Sequence, residues 1–106
     1  MAVRHINMEQ YNNEILKSDK LVMIDFFADW CGPCKMLAPV VEQIAEEQTD
    51  IEVVKVNVDE VPELAVLYKV ASIPTLIFIK NGQTVKEHIG FASKAEINSM
   101  IAECMA

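Results

Sequence analysis

Glycine and proline are scarce in this 106-residue chain, at three and four residues. No Ser-, Gly- or Pro-rich stretch, internal repeat or low-complexity tract interrupts it, so the sequence predicts one compact domain spanning residues 1–106. Positive charge is also short: nine Lys and Arg against sixteen Asp and Glu give a net charge of −7. A phosphate backbone or an anionic membrane surface repels such a chain, which argues against nucleic-acid and lipid-surface binding. Long apolar runs are missing too. The longest, Leu21 to Ala28, already contains Asp25 and falls far short of the roughly 20 apolar residues that a membrane-spanning helix needs. The opening Met1-Ala2-Val3-Arg4-His5 lacks the apolar stretch of a secretory signal, and three cysteines, an odd number, make a poor disulfide framework. A cytoplasmic protein is expected, monomeric by default.

Periodicity and turn residues divide the chain into four helical and about five extended segments. After a short apolar start at Val3 to Ile6, Asn7 caps a helix that keeps Met8, Tyr11 and Ile15 on one side. Leu21 to Phe27 reads as a central strand, apolar on both faces. Met36, Leu37, Val40, Val41, Ile44 and Ala45 recur at helical spacing, with Pro39 expected to kink that helix. Ile51 to Val58 is a second β-branched run, so strand, long helix and strand make a right-handed parallel βαβ unit. Pro62 opens a short third helix through Leu64, Ala65 and Leu67. Thr75 to Lys80 is a strand, and Asn81-Gly82 returns Thr84 to Ile89 antiparallel beside it. Ser93 and Glu96 have the spacing of a reciprocal cap for a last helix with Ile97, Met100, Ile101 and Cys104 on its apolar face. The fold class is α/β with a mixed sheet.

The chemistry concentrates in Trp30-Cys31-Gly32-Pro33-Cys34-Lys35, where a buried strand ends and a helix begins. A helix N-terminus carries unpaired N–H groups and partial positive charge, which favour a thiolate, and Cys31 gains most from them. Cys34, three residues on, closes a tight ring and can resolve a mixed disulfide formed on Cys31. Pro33 suits the first helical turn, where its missing N–H would be unpaired anyway. A structural zinc site is the competing explanation. It lacks a second Cys-x-x-Cys, and His5 and His88 have no paired-ligand spacing, so no metal is expected. Cys104 is expected to be a buried thiol acting as a small hydrophobe, Met36 and Met100 to be core, and Glu46-Glu47 and Asp59-Glu60 to be solvated helix ends.

Together with the Cys31 to Cys34 segment, the strand bearing Asp25, Lys55-Val56-Asn57-Val58-Asp59, Ile73-Pro74-Thr75, Asn81-Gly82 and Gly90 occur in an order that resembles the thioredoxin family over essentially the whole chain. The resemblance implies a thioredoxin-like fold, a five-stranded mixed β-sheet flanked by four α-helices. It also implies a protein-disulfide reductase with no bound cofactor, which receives electrons from NADPH through a thioredoxin reductase and passes them to protein disulfides. A disulfide oxidase or isomerase of the same fold and a non-redox binding module are the alternatives.

An ionised carboxylate in an apolar central strand is expensive, so Asp25 is expected either to find a hydrogen-bond partner or to hold its proton to higher pH. The resemblance implies that it exchanges a proton with Cys34. Lys55 in the neighbouring strand likewise needs a partner, for which Asp25 is the first candidate, or else reaches solvent along its stem. An X-Pro bond is ordinarily trans; the resemblance implies a cis bond before Pro74, facing the cysteines, with Ile73 offering backbone groups to an extended substrate. Trp30, Gly32, Pro33, Ile73, Gly90 and Phe91 form the expected apolar contact surface. Three positions depart from the family pattern: Phe27 stands where many relatives carry a second tryptophan, Ala71-Ser72 where a charged or glycine residue is frequent, and Phe91 is bulkier than the usual residue after Gly90.

Overall fold

A computed structural model describes residues 3–106; Met1 and Ala2, the first two residues of the stretch searched for a signal, lie outside the described residues. Strand β1 (Arg4–His5) leads into helix α1 (Met8–Gln10), whose cap is reciprocal: the Asn7 side chain accepts from the Gln10 N–H and the Gln10 side chain accepts from the Asn7 N–H. The expected α-helix then continues as a π-helical stretch, Tyr11–Ile15. Its wider turn, closed by a bond from the Leu16 N–H to the Tyr11 carbonyl, still buries Tyr11 and Ile15.

Strands β2 (Val22–Phe27) and β3 (Glu52–Asn57) pair in parallel around helix α2 (Gly32–Glu47), as the βαβ reading requires. After the short helix α3 (Pro62–Leu67), β4 (Thr75–Lys80) runs antiparallel to β2 and joins β5 (Gln83–Ile89) through Asn81 and Gly82. Both turn residues have positive φ, 52° and 78°, which the tight hairpin demands. Helix α4 (Lys94–Met105) closes the chain. The sheet order is β1-β3-β2-β4-β5, so β2 is the central strand, and among the described residues five strands and four α-helices are present. Pro39 lies within α2 without ending it.

Alternation along the strands builds two apolar layers. Leu21, Met23, Val53, Leu76 and Phe78 pack beneath α2 and α4, against Leu37, Val41, Ile44 and Ile97. Val22, Ile24, Phe26, Val54 and Ile77 face the other way, against Tyr11, Ile15 and Leu64. The same alternation sends Asp25 and Lys55, register partners in β2 and β3, to the α2 side. Two expectations need correction. Met36 is 65% exposed, because the buried stripe of α2 runs Cys34, Leu37, Val41, Ile44 and passes it by. Cys104 is half-buried rather than enclosed, and burial pushes its thiol upward, away from reactivity. Met100 is core, as expected.

The expected cap of α4 is present in both directions: Ser93 Oγ accepts from the Glu96 N–H at 3.1 Å and Glu96 Oε1 accepts from the Ser93 N–H at 2.8 Å. Ser93→Ala is expected to lower stability by about 1 kcal/mol, seen as an earlier urea midpoint with an unchanged slope. Among the described residues no helix is long and apolar enough to cross a membrane.

Candidate active site

Cys31 ends the loop that leaves β2 and is itself the N-cap of α2. Its sulfur accepts from the Cys34 N–H at 3.2 Å, so one unpaired donor of the helix start points directly at it. Cys31 and Cys34 are joined as a disulfide, their Cα atoms 5.2 Å apart. Ala28 and the two cysteines form a small buried cluster closed by Phe27, Val58 and Ile73.

Asp25 lies behind this cluster on the α2 face of β2, and only 3% of it is exposed. Its Oδ1 has no hydrogen-bond partner among the described residues. Of the two outcomes expected for a buried carboxyl, the second therefore holds: burial pushes Asp25 up to about 7, against a smaller downward pull from the Lys55 ammonium. Lys55 does not pair with Asp25 directly, as first expected. Its Nζ lies 4.0 Å from Glu42 Oε2 and 5.4 Å from the centre of the Phe27 ring, so it reaches Asp25 only through space. Phe27, in the place of a second tryptophan, thus packs against both the cysteine cluster and this ammonium. A cleft of about 150 Å³ connects the groups, bordered by Asp25, Asp29, Cys34, Lys35 and Lys55.

On the outer side, the Ile73–Pro74 bond is cis, and the Ile73 carbonyl oxygen lies 3.8 Å from Cys31 Sγ. While that sulfur is in the disulfide it has no hydrogen to donate, so this is a contact rather than a hydrogen bond. Two bonds hold the segment in place: Thr75 Oγ1 donates to the Ser72 carbonyl at 2.6 Å, and the Gly90 N–H donates to the Pro74 carbonyl at 2.8 Å. Gly90 has φ of 96°, a conformation that disfavours any side chain although the space beside it is open. Trp30, next to Cys31 in the chain, is 69% exposed and Phe91 46%, so neither is enclosed in the core.

The comparisons with known proteins point the same way. Residues 2–103 match the Thioredoxin family. The chain belongs to the thioredoxin family. Thioredoxin-2 of Saccharomyces cerevisiae is 47% identical over 102 residues, 96% of this chain and 97% of its own length. Thioredoxin of Mycoplasmoides gallisepticum is 38% identical over 99 residues, 93% and 99% of the two chains. Thioredoxin of Mycobacterium tuberculosis strain H37Rv is 51% identical over 88 residues, 82% and 76%. Thioredoxins are protein-disulfide oxidoreductases, and this chain carries out thiol–disulfide redox chemistry at the Cys31–Cys34 pair. Family members carry no prosthetic group, and among the described residues no cluster of three or more His, Cys, Asp or Glu is placed to hold a metal.

Sequence reasoning missed two residues of this thioredoxin site. Asp59, taken for a solvated helix end, accepts from Trp30 Nε1 at 2.8 Å and fixes the indole beside the disulfide. The buried Asn57 holds Asp59 in turn, its Oδ1 accepting from the Asp59 N–H at 2.9 Å. An Asx residue at a strand end is a turn signal that could have revealed Asn57; the partnership of Asp59 with Trp30, 29 positions away, had no signal.

Proposed function

We propose that this protein is a protein-disulfide reductase in which Cys31 is the attacking thiol and Cys34 the resolving one. The observation that carries the reading is the Cys31 sulfur at the N-cap of α2, facing the Cys34 N–H. In the reduced protein the Cys31 thiolate attacks one substrate sulfur, the substrate S–S bond breaks, and the released thiolate takes up a proton. Cys34 then gives its proton to the Asp25 carboxylate and attacks Cys31 Sγ. The Cys31–Cys34 bond forms, the second substrate sulfur leaves, and two electrons have passed to the substrate. A carboxyl that titrates near 7 matches this exchange at neutral pH, and the cleft has room for a few water molecules, about 30 Å³ each in the liquid, to carry the proton. Lys55 tunes that carboxyl.

Trp30, Gly32, Pro33, Ile73, Pro74, Gly90 and Phe91 form the surface that receives an extended substrate segment, with Ile73 offering its backbone. NADPH, through a thioredoxin reductase, restores the dithiol. Such a cycle suits a compartment that keeps thiols reduced, which supports a cytoplasmic location. Residues 1–106 act as one domain, as a monomer.

Trp30 is the only tryptophan and adjoins Cys31, so its fluorescence follows the redox state. Equilibration in graded dithiol/disulfide buffers is expected to give a strongly reducing two-electron midpoint. An oxidising midpoint would assign disulfide formation or isomerisation instead. No reversible transition would assign a binding module, for which replacing both cysteines by Ser leaves function intact.

A further inference from the structure

Lys55 faces two carboxylates on the α2 side of the sheet, Asp25 opposite it in β2 and Glu42 from α2. Glu42 is not free to follow the ammonium. Its carboxylate accepts from the Val3 N–H through Oε2 at 2.9 Å and Oε1 at 3.1 Å, and Val3 is buried at the entry to β1. The same Oε2 lies 4.0 Å from Lys55 Nζ. A backbone donor therefore pins the carboxylate, and the pinned carboxylate holds the ammonium against itself and over the Phe27 ring. Asp25 is left with no ion pair among the described residues. Because a charge acts as the inverse of distance, the resting place of the ammonium decides how strongly it opposes protonation of Asp25.

We propose that Glu42 is a positioning residue of the redox site: tethered to Val3, it holds the Lys55 ammonium beside itself and so sets its distance from Asp25. Its own negative charge opposes ionisation of Asp25. The charged groups around Asp25 are few. Lys55 faces it from β3, and Lys35 from α2 and Asp29 from the loop after β2 border the same cleft, with Glu42 of α2 beside Lys55; β4 sets the apolar Leu76 opposite it, and β1 contributes His5, which packs on Phe27 at 5.4 Å. Glu42 holds the Val3 N–H through its side chain, and Lys55 pairs with His5 through its backbone, so docking of β1 is coupled to the chemistry of Cys34. The inference rests on Asp25 moving the Cys34 proton only in that this is where its setting would govern a rate.

The test reads Asp25 itself. In the oxidised protein neither Cys31 nor Cys34 titrates, and the carboxyl carbon shift of Asp25 can be followed against pH by NMR. Glu42→Gln keeps an oxygen to accept from Val3 and removes the charge. It is expected to move the Asp25 midpoint down by about half a pH unit, the scale of one charge acting across a partly hydrated gap. In a Lys55→Met background the same substitution is expected to move it by less than half as much. An unchanged midpoint with a lowered melting temperature would make Glu42 a structural tether alone and overturn the proposal. An equal shift with and without Lys55 would also overturn it, by showing that Glu42 acts on Asp25 directly. No disulfide is exchanged in this titration, so its outcome stands apart from whether Asp25 serves the resolving step.

Discussion

Cys34→Ser is expected to turn a catalyst into a trap. The substituted protein keeps the Cys31 thiolate at the N-cap of α2, so it still attacks a substrate disulfide, but nothing follows to break the mixed disulfide. Multiple-turnover reduction of a protein disulfide should fall by about three orders of magnitude or more, the scale on which loss of an essential nucleophile acts. Covalent adducts should accumulate with one substrate chain per protein, visible on a non-reducing gel and released by excess small dithiol. Cys31→Ser should form none. If a folded Cys34→Ser protein captured nothing from disulfide-bearing substrates, the order of attack proposed here would be wrong.

Asp25→Asn should make the oxidised protein more stable at neutral and alkaline pH while making the enzyme slower. The native carboxyl holds its proton up to about 7, whereas an ordinary one releases it near 3.8. Between those values the native state binds more protons than the unfolded state, so stability falls as pH rises; it is fully present below 3.8 and lost through 7. The ionised, unpartnered carboxylate thus costs up to about 4 kcal/mol above that range. Asn has nothing to ionise. Urea unfolding at pH 5 and pH 8 is expected to show a falling stability for the native sequence and a nearly flat one for Asp25→Asn, which should be the more stable at pH 8 by several kcal/mol. Equal stability of the native sequence at both pH values would remove Asp25 as the source of the cost. Resolution of the mixed disulfide should slow in the same variant, because Cys34 loses its proton acceptor. A buried charge that weakens the fold and serves the reaction is a stability cost kept for function.

The strands and helices were legible where periodicity and punctuation agreed. Asn81-Gly82 stated its hairpin outright, and the alternation in β2 and β3 already implied that Asp25 and Lys55 share a face. The π-helical stretch after α1 was not legible, since Tyr11 and Ile15 satisfy an α-helical spacing equally well. At the site, Cys31 and Cys34 were recognisable because their chemistry is set by local position at a helix start. Pro74 was not, on its own: its sequence context favours trans, and only the family resemblance implied the cis bond that the structure has. The partners of Lys55, Trp30 and Val3 were out of reach for a plainer reason. Each lies 13 to 39 positions away, on an element whose packing geometry no periodicity encodes.

The edges of the sheet bear on solubility. β1 spans two residues, too short to template another chain. β5 is longer and exposed, but its pairing with β4 shifts between Phe78 and Ile79, leaving Val85 as an extra, bulged residue, and Lys86, Glu87 and His88 follow it. A bulge and the charged pair Lys86 and Glu87 spoil that edge for intermolecular pairing. A protein proposed to accept extended strands beside its disulfide thus denies them its margins, so that self-assembly into aggregates does not compete with capture of a client.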